Sequence, residues 1–221
     1  MDGGAGKTGK GIGIGVETAA LITAFVTLFV VIDPIGLTPV FVALTKGADA
    51  RHRRAVALRA CLISIGILTL FGVFGESLLG IIGISMPAFR ISGGILLFIT
   101  ALDMLFERRS QRRQGQSTPN DDPSVFPLAT PLIAGPGSMA TMILLTGQSS
   151  EWADILSVHL VMIAVVGCVF LLFLTAGMFE RALGDTGIVV VTRLLGMLLA
   201  ALSVQFVLDG LQSFGIAAGL G

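Results

Sequence analysis

Two short runs carry most of the polar chemistry of an otherwise apolar chain. Asp33-Pro34-Ile35-Gly36 lies inside the apolar stretch from Thr18 to Thr45, and Gly135-Pro136-Gly137-Ser138 lies inside the stretch from Val125 to Thr146. Proline removes an amide donor and clashes with the carbonyl one turn back. Asp is a favoured N-cap and Pro is favoured at the first helical position, so Asp33-Pro34 reads as a helix start in the middle of an apolar run. Gly135-Pro136 is the same construction with glycine as the cap. Both starts carry unpaired amides and the positive end of a helix dipole. Asp33 can satisfy its own start with its carboxylate. Gly135 has no side chain, so the amides of Gly137, Ser138 and Met139 stay open, which makes that start an anion site.

One fixed carboxylate beside one open anion site suits a zwitterion, with its ammonium near Asp33 and its carboxylate on the second start. The candidate substrate-binding residues are Asp33, Pro34, Gly36 and Thr38 at the first break and Gly135, Pro136, Gly137, Ser138 and Thr141 at the second. Their small side chains leave room for something small. An aspartate in place of Gly135 would supply the missing cap and close the anion site. In the plainer alternative, Asp33 only caps a kinked helix and the second run only permits close packing. A charge near the bilayer centre costs about 2.5–3.5 kcal/mol and needs an offset. A pair of such breaks in two matching halves favours a functional role.

The elements that position these residues must cross a membrane. Of 221 residues, 54% are hydrophobic and 13% charged, where a soluble domain averages about 25% charged. The formal net charge is zero, so nucleic acid is not expected as a partner; the bilayer is. Cys61 and Cys168 lie in apolar runs and read as core residues. His52 and His159 stand apart without ligand spacing, and no motif calls for a metal or cofactor. The Gly-rich residues 1–17 read as a disordered tail. Gly6-Lys7-Thr8 within it lacks the upstream glycine and strand of a phosphate-binding loop, and the long apolar run that follows does not fit a cleaved signal peptide.

Six stretches approach the roughly 20 residues that a spanning helix needs: Thr18–Thr45, Ala55–Phe74, Phe89–Phe106, Val125–Thr146, Ile155–Phe179 and Ile188–Leu208. Basic residues concentrate in 46–54 and 107–124, with Arg108, Arg109, Arg112 and Arg113 in the second. Positive charge favours the cytoplasmic side, which places both termini outside. The halves repeat: Glu76-Ser-Leu-Leu-Gly80 aligns with Glu180-Arg-Ala-Leu-Gly184, Arg90-Ile-Ser-Gly93 with Arg193-Leu-Leu-Gly196, and Pro34 with Pro136. Copies of three spans each must run in opposite directions. The expected fold is therefore an all-α membrane protein of two inverted three-helix repeats, residues 18–106 and 125–211, with spans 1 and 4 interrupted. Residues 107–124 form a cytoplasmic linker and 212–221 a tail. Glu76 with Arg90 and Glu180 with Arg193 are expected as interfacial ion pairs, and Gly93-Gly94 and Gly196 as points of tight helix contact. Ser203 and Gln205 could line a path or bond within the membrane.

The runs Asp33-Pro34-Ile35-Gly36-Leu37-Thr38-Pro39, Pro131-Leu132-Ile133-Ala134-Gly135-Pro136-Gly137, Arg90-Ile-Ser-Gly93-Gly94 and Gln205-Phe-Val-Leu-Asp-Gly210-Leu211 resemble the MarC family of six-span bacterial and archaeal membrane proteins. The resemblance covers nearly all of the chain after Val16. It implies a plasma membrane (bacterial inner membrane) location and, from at least one member type, proton-dependent transport of small neutral amino acids. It also implies kinship with inverted-repeat amino-acid exporters. The expected function is a secondary transporter of small neutral amino acids, alternating access around the two breaks, and not an enzyme. A channel or regulatory membrane protein is the alternative, with an intramembrane enzyme a further one. Proton coupling and homo-oligomerisation are left open.

Overall fold

The computed structural model describes residues 12–106, 122–147 and 151–215, with only the backbone for 12–17, 179–181, 183 and 185. The described residues form helices, with no strands among them: α1 (Ile12–Ile32), α2 (Pro34–Leu44), α3 (Ala50–Ile82), α4 (Met86–Leu105), α5 (Ser124–Ile133), α6 (Pro136–Thr146), α7 (Trp152–Leu174) and α8 (Ala176–Ser213). Five stretches are long and apolar enough to span a membrane, and the bent pair α5–α6 makes a sixth if it counts as one. Large apolar side chains such as Ile22, Leu62, Phe74, Ile81, Leu160, Leu171 and Leu198 point outward. In water such a surface would be untenable; in lipid it is the expected exterior.

Local chemistry sets most boundaries. Asp49 caps α3, its carboxylate accepting from the amide of His52 at 2.7 Å. Gly83 ends α3 in the left-handed region at φ 83°, where glycine carries no Cβ penalty. Ser85 then caps α4, with Pro87 in its first turn. The α3 helix runs on to Ile82 rather than stopping near Phe74, because nothing before Gly83 breaks it. At the start of the chain, residues 12–17 are already helical, although the sequence alone placed them in a tail; residues 1–11 and 107–121 lie outside the described residues. α7 ends at Leu174, short of the expected Phe179, and α8 bends at Gly184, whose φ is 63°.

The segment before α6 is not a regular helix. Pro127 and Pro131 fall inside α5, and the residues preceding them, Phe126 (φ −131°, ψ 125°) and Thr130 (φ −129°, ψ 122°), are extended. The proline ring drives its predecessor out of the α region. Wider backbone bonds take over, from Leu128 N to Pro123 O at 3.3 Å and from Ala134 N to Ala129 O at 2.9 Å.

The main core gathers residues of α1, α2, α3, α5, α6 and α7 and includes the stacked pair Phe41–Phe173, centroids 4.3 Å apart. A smaller core joins Val30 and Val31 of α1 to Leu97, Ala101 and Met104 of α4 and Leu199 of α8. α4 and α8 pack antiparallel along a glycine seam. A Cβ on Gly94 would stand 2.8 Å from Ser203 O, one on Gly196 3.0 Å from Met104 Cβ, and one on Gly210 3.0 Å from Pro87 O. Two of these, Gly94 and Gly196, are tight contacts expected from the sequence; Gly93 instead looks toward Ala140 and Leu144 of α6 at ordinary distances. α3 and α7 are antiparallel as well, with Cys61 against Val166 and Gly72 against His159.

Candidate functional site

At the first break, Asp33 alone takes a left-handed conformation, φ 56° and ψ 62°. Asp is among the few residues that visit this region readily. The side chain is 1% exposed, and its Oδ1 accepts from the amide of Gly36 at 3.0 Å. A Cβ on Gly36 would run into that carboxylate, so the cap requires glycine at 36. Pro34 is buried as the first residue of α2. Thr38 is fully buried, and its hydroxyl donates to Pro34 O at 3.0 Å.

At the second break the axis bends by 52° between α5 and α6. No side chain caps the first turn of α6, whose first backbone bond runs from Met139 N to Gly135 O at 2.9 Å. The hydroxyl of Ser138 turns back instead, donating to Ile133 O at 2.7 Å and Gly135 O at 3.0 Å. Thr141 donates to Gly137 O at 2.9 Å. Gly135, Gly137, Ser138 and Thr141 are buried, while Pro136 is exposed. The sequence reading attributed Gly135 to keeping the amides open. The structure adds a backbone reason: any Cβ there would collide with the carbonyl of Pro131. An aspartate at 135 would strain the turn before it could act as a cap.

The fold brings the two breaks together. A Cβ on Gly137 would lie 3.4 Å from Val31 Cγ1, 3.1 Å from Leu97 Cδ2 and 4.0 Å from Thr100 Oγ1. The start of α6 thus rests against α1 just ahead of Asp33 and against α4. Thr38 and Thr141 give their hydroxyl protons to their own helices and Ser138 to the turn just before its own, so none of the three bridges the breaks. Sequence reasoning missed Val31, Leu97 and Thr100 as walls, since nothing in their types marks them.

Other polar groups sort themselves locally. Ser203 donates to Ala200 O at 2.6 Å, and Gln205 to Asp209 Oδ1 at 2.6 Å, so both bond within α8. Glu76 and Arg90 are not paired with each other; Arg59 instead pairs with Asp122 at 2.8 Å. The side chain of Glu180 lies outside the described ones. Asp122 sits just ahead of α5 and takes the Ser124 hydroxyl at 2.7 Å and the Ser124 amide at 3.0 Å. Those two bonds, and then the Arg59 guanidinium, hold its carboxyl below the usual carboxylate range. His159, which the sequence left without a partner, is 8% exposed and bonds through Nδ1 to Ile155 O at 2.7 Å. Its Nε2 is buried without a partner against Gly72 of α3 and Met142 of α6.

Residues 18–214 match the family described as MarC family integral membrane protein. The chain belongs to the MarC family. It is 35% identical over 195 residues to a UPF0056 membrane protein of Methanocaldococcus jannaschii, covering 86% of this chain and 95% of that one. It is 34% identical over 194 residues to the UPF0056 inner membrane protein YhgN of Escherichia coli, covering 87% and 96%. A third MarC relative, YvbG of Bacillus subtilis, is 35% identical over 198 residues, 87% and 94% of the two chains. No solved structure matches the chain. Family membership and the apolar helices make this a multi-pass integral membrane protein.

Proposed function

We propose that this MarC family chain is a secondary transporter of small neutral amino acids, working by alternating access around the two helix breaks. The observation that carries the reading is a carboxylate, Asp33, 1% exposed, at a helix start within an apolar run and next to a second helix start that no side chain caps. Opposite charges are thereby offered to the two ends of a zwitterion, the anion to its ammonium and the α6 amides to its carboxylate. At 11 residues each, α2 and α6 are about 16 Å long, half of the roughly 30 Å hydrocarbon core. Half-helices whose starts meet near the midplane are the usual way transporters build such a site.

An inverted repeat fits the same reading. Its second and fifth spans would be α3 and α7, its third and sixth α4 and α8, and both pairs pack antiparallel. With the basic segment 46–54 in the cytoplasm, both termini lie outside, in the plasma membrane or a bacterial inner membrane. The protein acts as a carrier and not as an enzyme on this reading. Protons are the proposed coupling ion.

The deciding experiment is uptake into proteoliposomes by the Asp33→Asn variant. Asn caps a helix as well as Asp and tolerates the left-handed conformation, so the fold should persist. Labelled glycine or alanine should enter wild-type vesicles and show counterflow, and should not enter the variant. Normal uptake by a folded Asp33→Asn protein would rule the carboxylate out.

A further inference from the structure

Where α3 begins and α7 ends, a cavity of about 190 Å³ opens between the two helices. Ala48, Ala50, Arg53 and Arg54 line one side, and Phe173 and Gly177 the other. The apolar part of α3 starts at Ala55, so the two guanidinium groups stand at the level where hydrocarbon gives way to headgroups. Among the described residues neither arginine has a carboxylate partner. The nearest acid in sequence, Asp49, is engaged in capping α3.

Arg53 is half-buried and held in place. Its Cζ lies 5.6 Å from the ring centroid of Phe41, and Phe41 is stacked flat on Phe173, with 4° between the rings. This cation–π contact consumes none of the guanidinium's N–H donors, which remain to bond elsewhere. The small side chains of Ala48 and Ala50 line the same cavity and leave it open. The positive end of the α3 dipole reinforces the field there. Exposed Leu58, one turn beyond Arg54, and exposed Leu174, on the opposite side, continue the cavity outward as apolar surface.

We propose that this cavity binds the phosphate group of an anionic membrane lipid, with Arg53 and Arg54 as its ligands and the adjoining leucines under its acyl chains. Arginine forks match the oxygens of a phosphate. Basic pockets between membrane helices at the headgroup level are suited to such groups. The apolar continuation selects a lipid over free phosphate. The site is separate from the helix breaks and does not depend on the transport reading.

The test uses the purified full chain in neutral detergent, with melting followed as lipid is added. Phosphatidylglycerol should raise the melting temperature more than phosphatidylcholine or inorganic phosphate. Arg53→Gln and Arg54→Gln should each weaken the phosphatidylglycerol effect by about fivefold or more in apparent affinity. Arg51→Gln removes an equal charge from an exposed neighbour outside the cavity and should change little. The pair Arg53→Lys with Arg54→Lys keeps the charge but loses the forks, and should retain an intermediate effect. If Arg53→Gln does not fold, Arg54→Gln, which makes no contact with Phe41, carries the test. Equal losses in Arg51→Gln and the cavity variants would reduce the effect to diffuse surface charge and overturn the proposal. An equal response to inorganic phosphate, or no preference for the anionic lipid, would overturn it too.

Discussion

At Asp33 the chain passes through a single left-handed residue that closes one ladder and opens the next: Asp33 N reaches Phe29 O at 2.9 Å, and Leu37 N reaches Asp33 O at 3.0 Å. At Gly135 the axis swings by 52°, the segment upstream is irregular, and no ladder crosses the turn. The side chains answer opposite needs. Asp33 accepts, and so satisfies a stranded donor, the amide of Gly36. Ser138 donates, and so answers the carbonyl of Ile133, sharing that of Gly135 with the Met139 amide. One break ends with a first-turn donor answered by a buried carboxyl side chain. The other ends with an acceptor answered and no side chain on its first-turn amides. Two similar proline motifs are thus completed by side chains of opposite hydrogen-bonding sense.

Substitution of the two glycines should separate the breaks most sharply. At 135 a Cβ meets backbone, which cannot step aside; at 36 it meets a carboxylate, which can. Gly135→Ala should cost about 2–3 kcal/mol, as overpacking of rigid surroundings does. Gly36→Ala should cost less, chiefly through the displaced cap. Melting in detergent would check this, and a Gly135→Ala protein as stable as wild type would show that the second turn is pliable.

The next effect in size should come at Asp33. Alanine there loses the cap, about 1 kcal/mol, and must hold a left-handed backbone, roughly 1–2 kcal/mol more. Asparagine escapes both. A melting temperature for Asp33→Ala equal to that of Asp33→Asn would mean the first break does not rely on its side chain. Ser138→Ala should be milder, about 1–2 kcal/mol for the buried Ile133 carbonyl left unanswered. If Ser138→Ala and Ser138→Thr melt alike, the hydroxyl does not hold the second bend.

The smallest effect should be the pH response at the entrance to α5. Because Asp122 titrates below its ordinary range when folded, its contribution is present above about pH 3.9, the unfolded value, and is lost as pH falls through the lower folded value. Asp122→Asn should flatten that acid limb slightly, in keeping with an exposed pair. Melting curves between about pH 5 and pH 2 would show it; an unchanged slope would detach Asp122 from the stability of α5.

The breaks themselves were legible because Asp-Pro and Gly-Pro-Gly have few uses inside an apolar run. The irregular course of α5 was equally written in Pro127 and Pro131, four residues apart, each of which keeps the residue before it out of the α region. The partners of the break were not legible. Val31, Leu97 and Thr100 meet Gly137 only through tertiary packing, and Arg59 meets Asp122 across 63 positions. Helix ends were less legible than apolar stretches: the second stretch reads to Phe74, and α3 runs to Ile82. Glu76 sits inside α3, because a helix ends where capping or a glycine ends it and not where the bilayer does.

The length of α3 has a consequence for the membrane around it. Its 33 residues span about 50 Å against a core of roughly 30 Å. Arginines hold one end at the surface, while Ile81 and Ile82 at the other end remain 84% and 61% exposed and need lipid. A rod that long satisfies both ends by leaning well past the usual tilt of about 20°, or by thickening the bilayer beside it. Either response ties the lean of α3 to local membrane thickness, and α3 packs against α5, α6 and α7. Acyl-chain length in the surrounding bilayer therefore becomes a mechanical input to the helices that carry the second break.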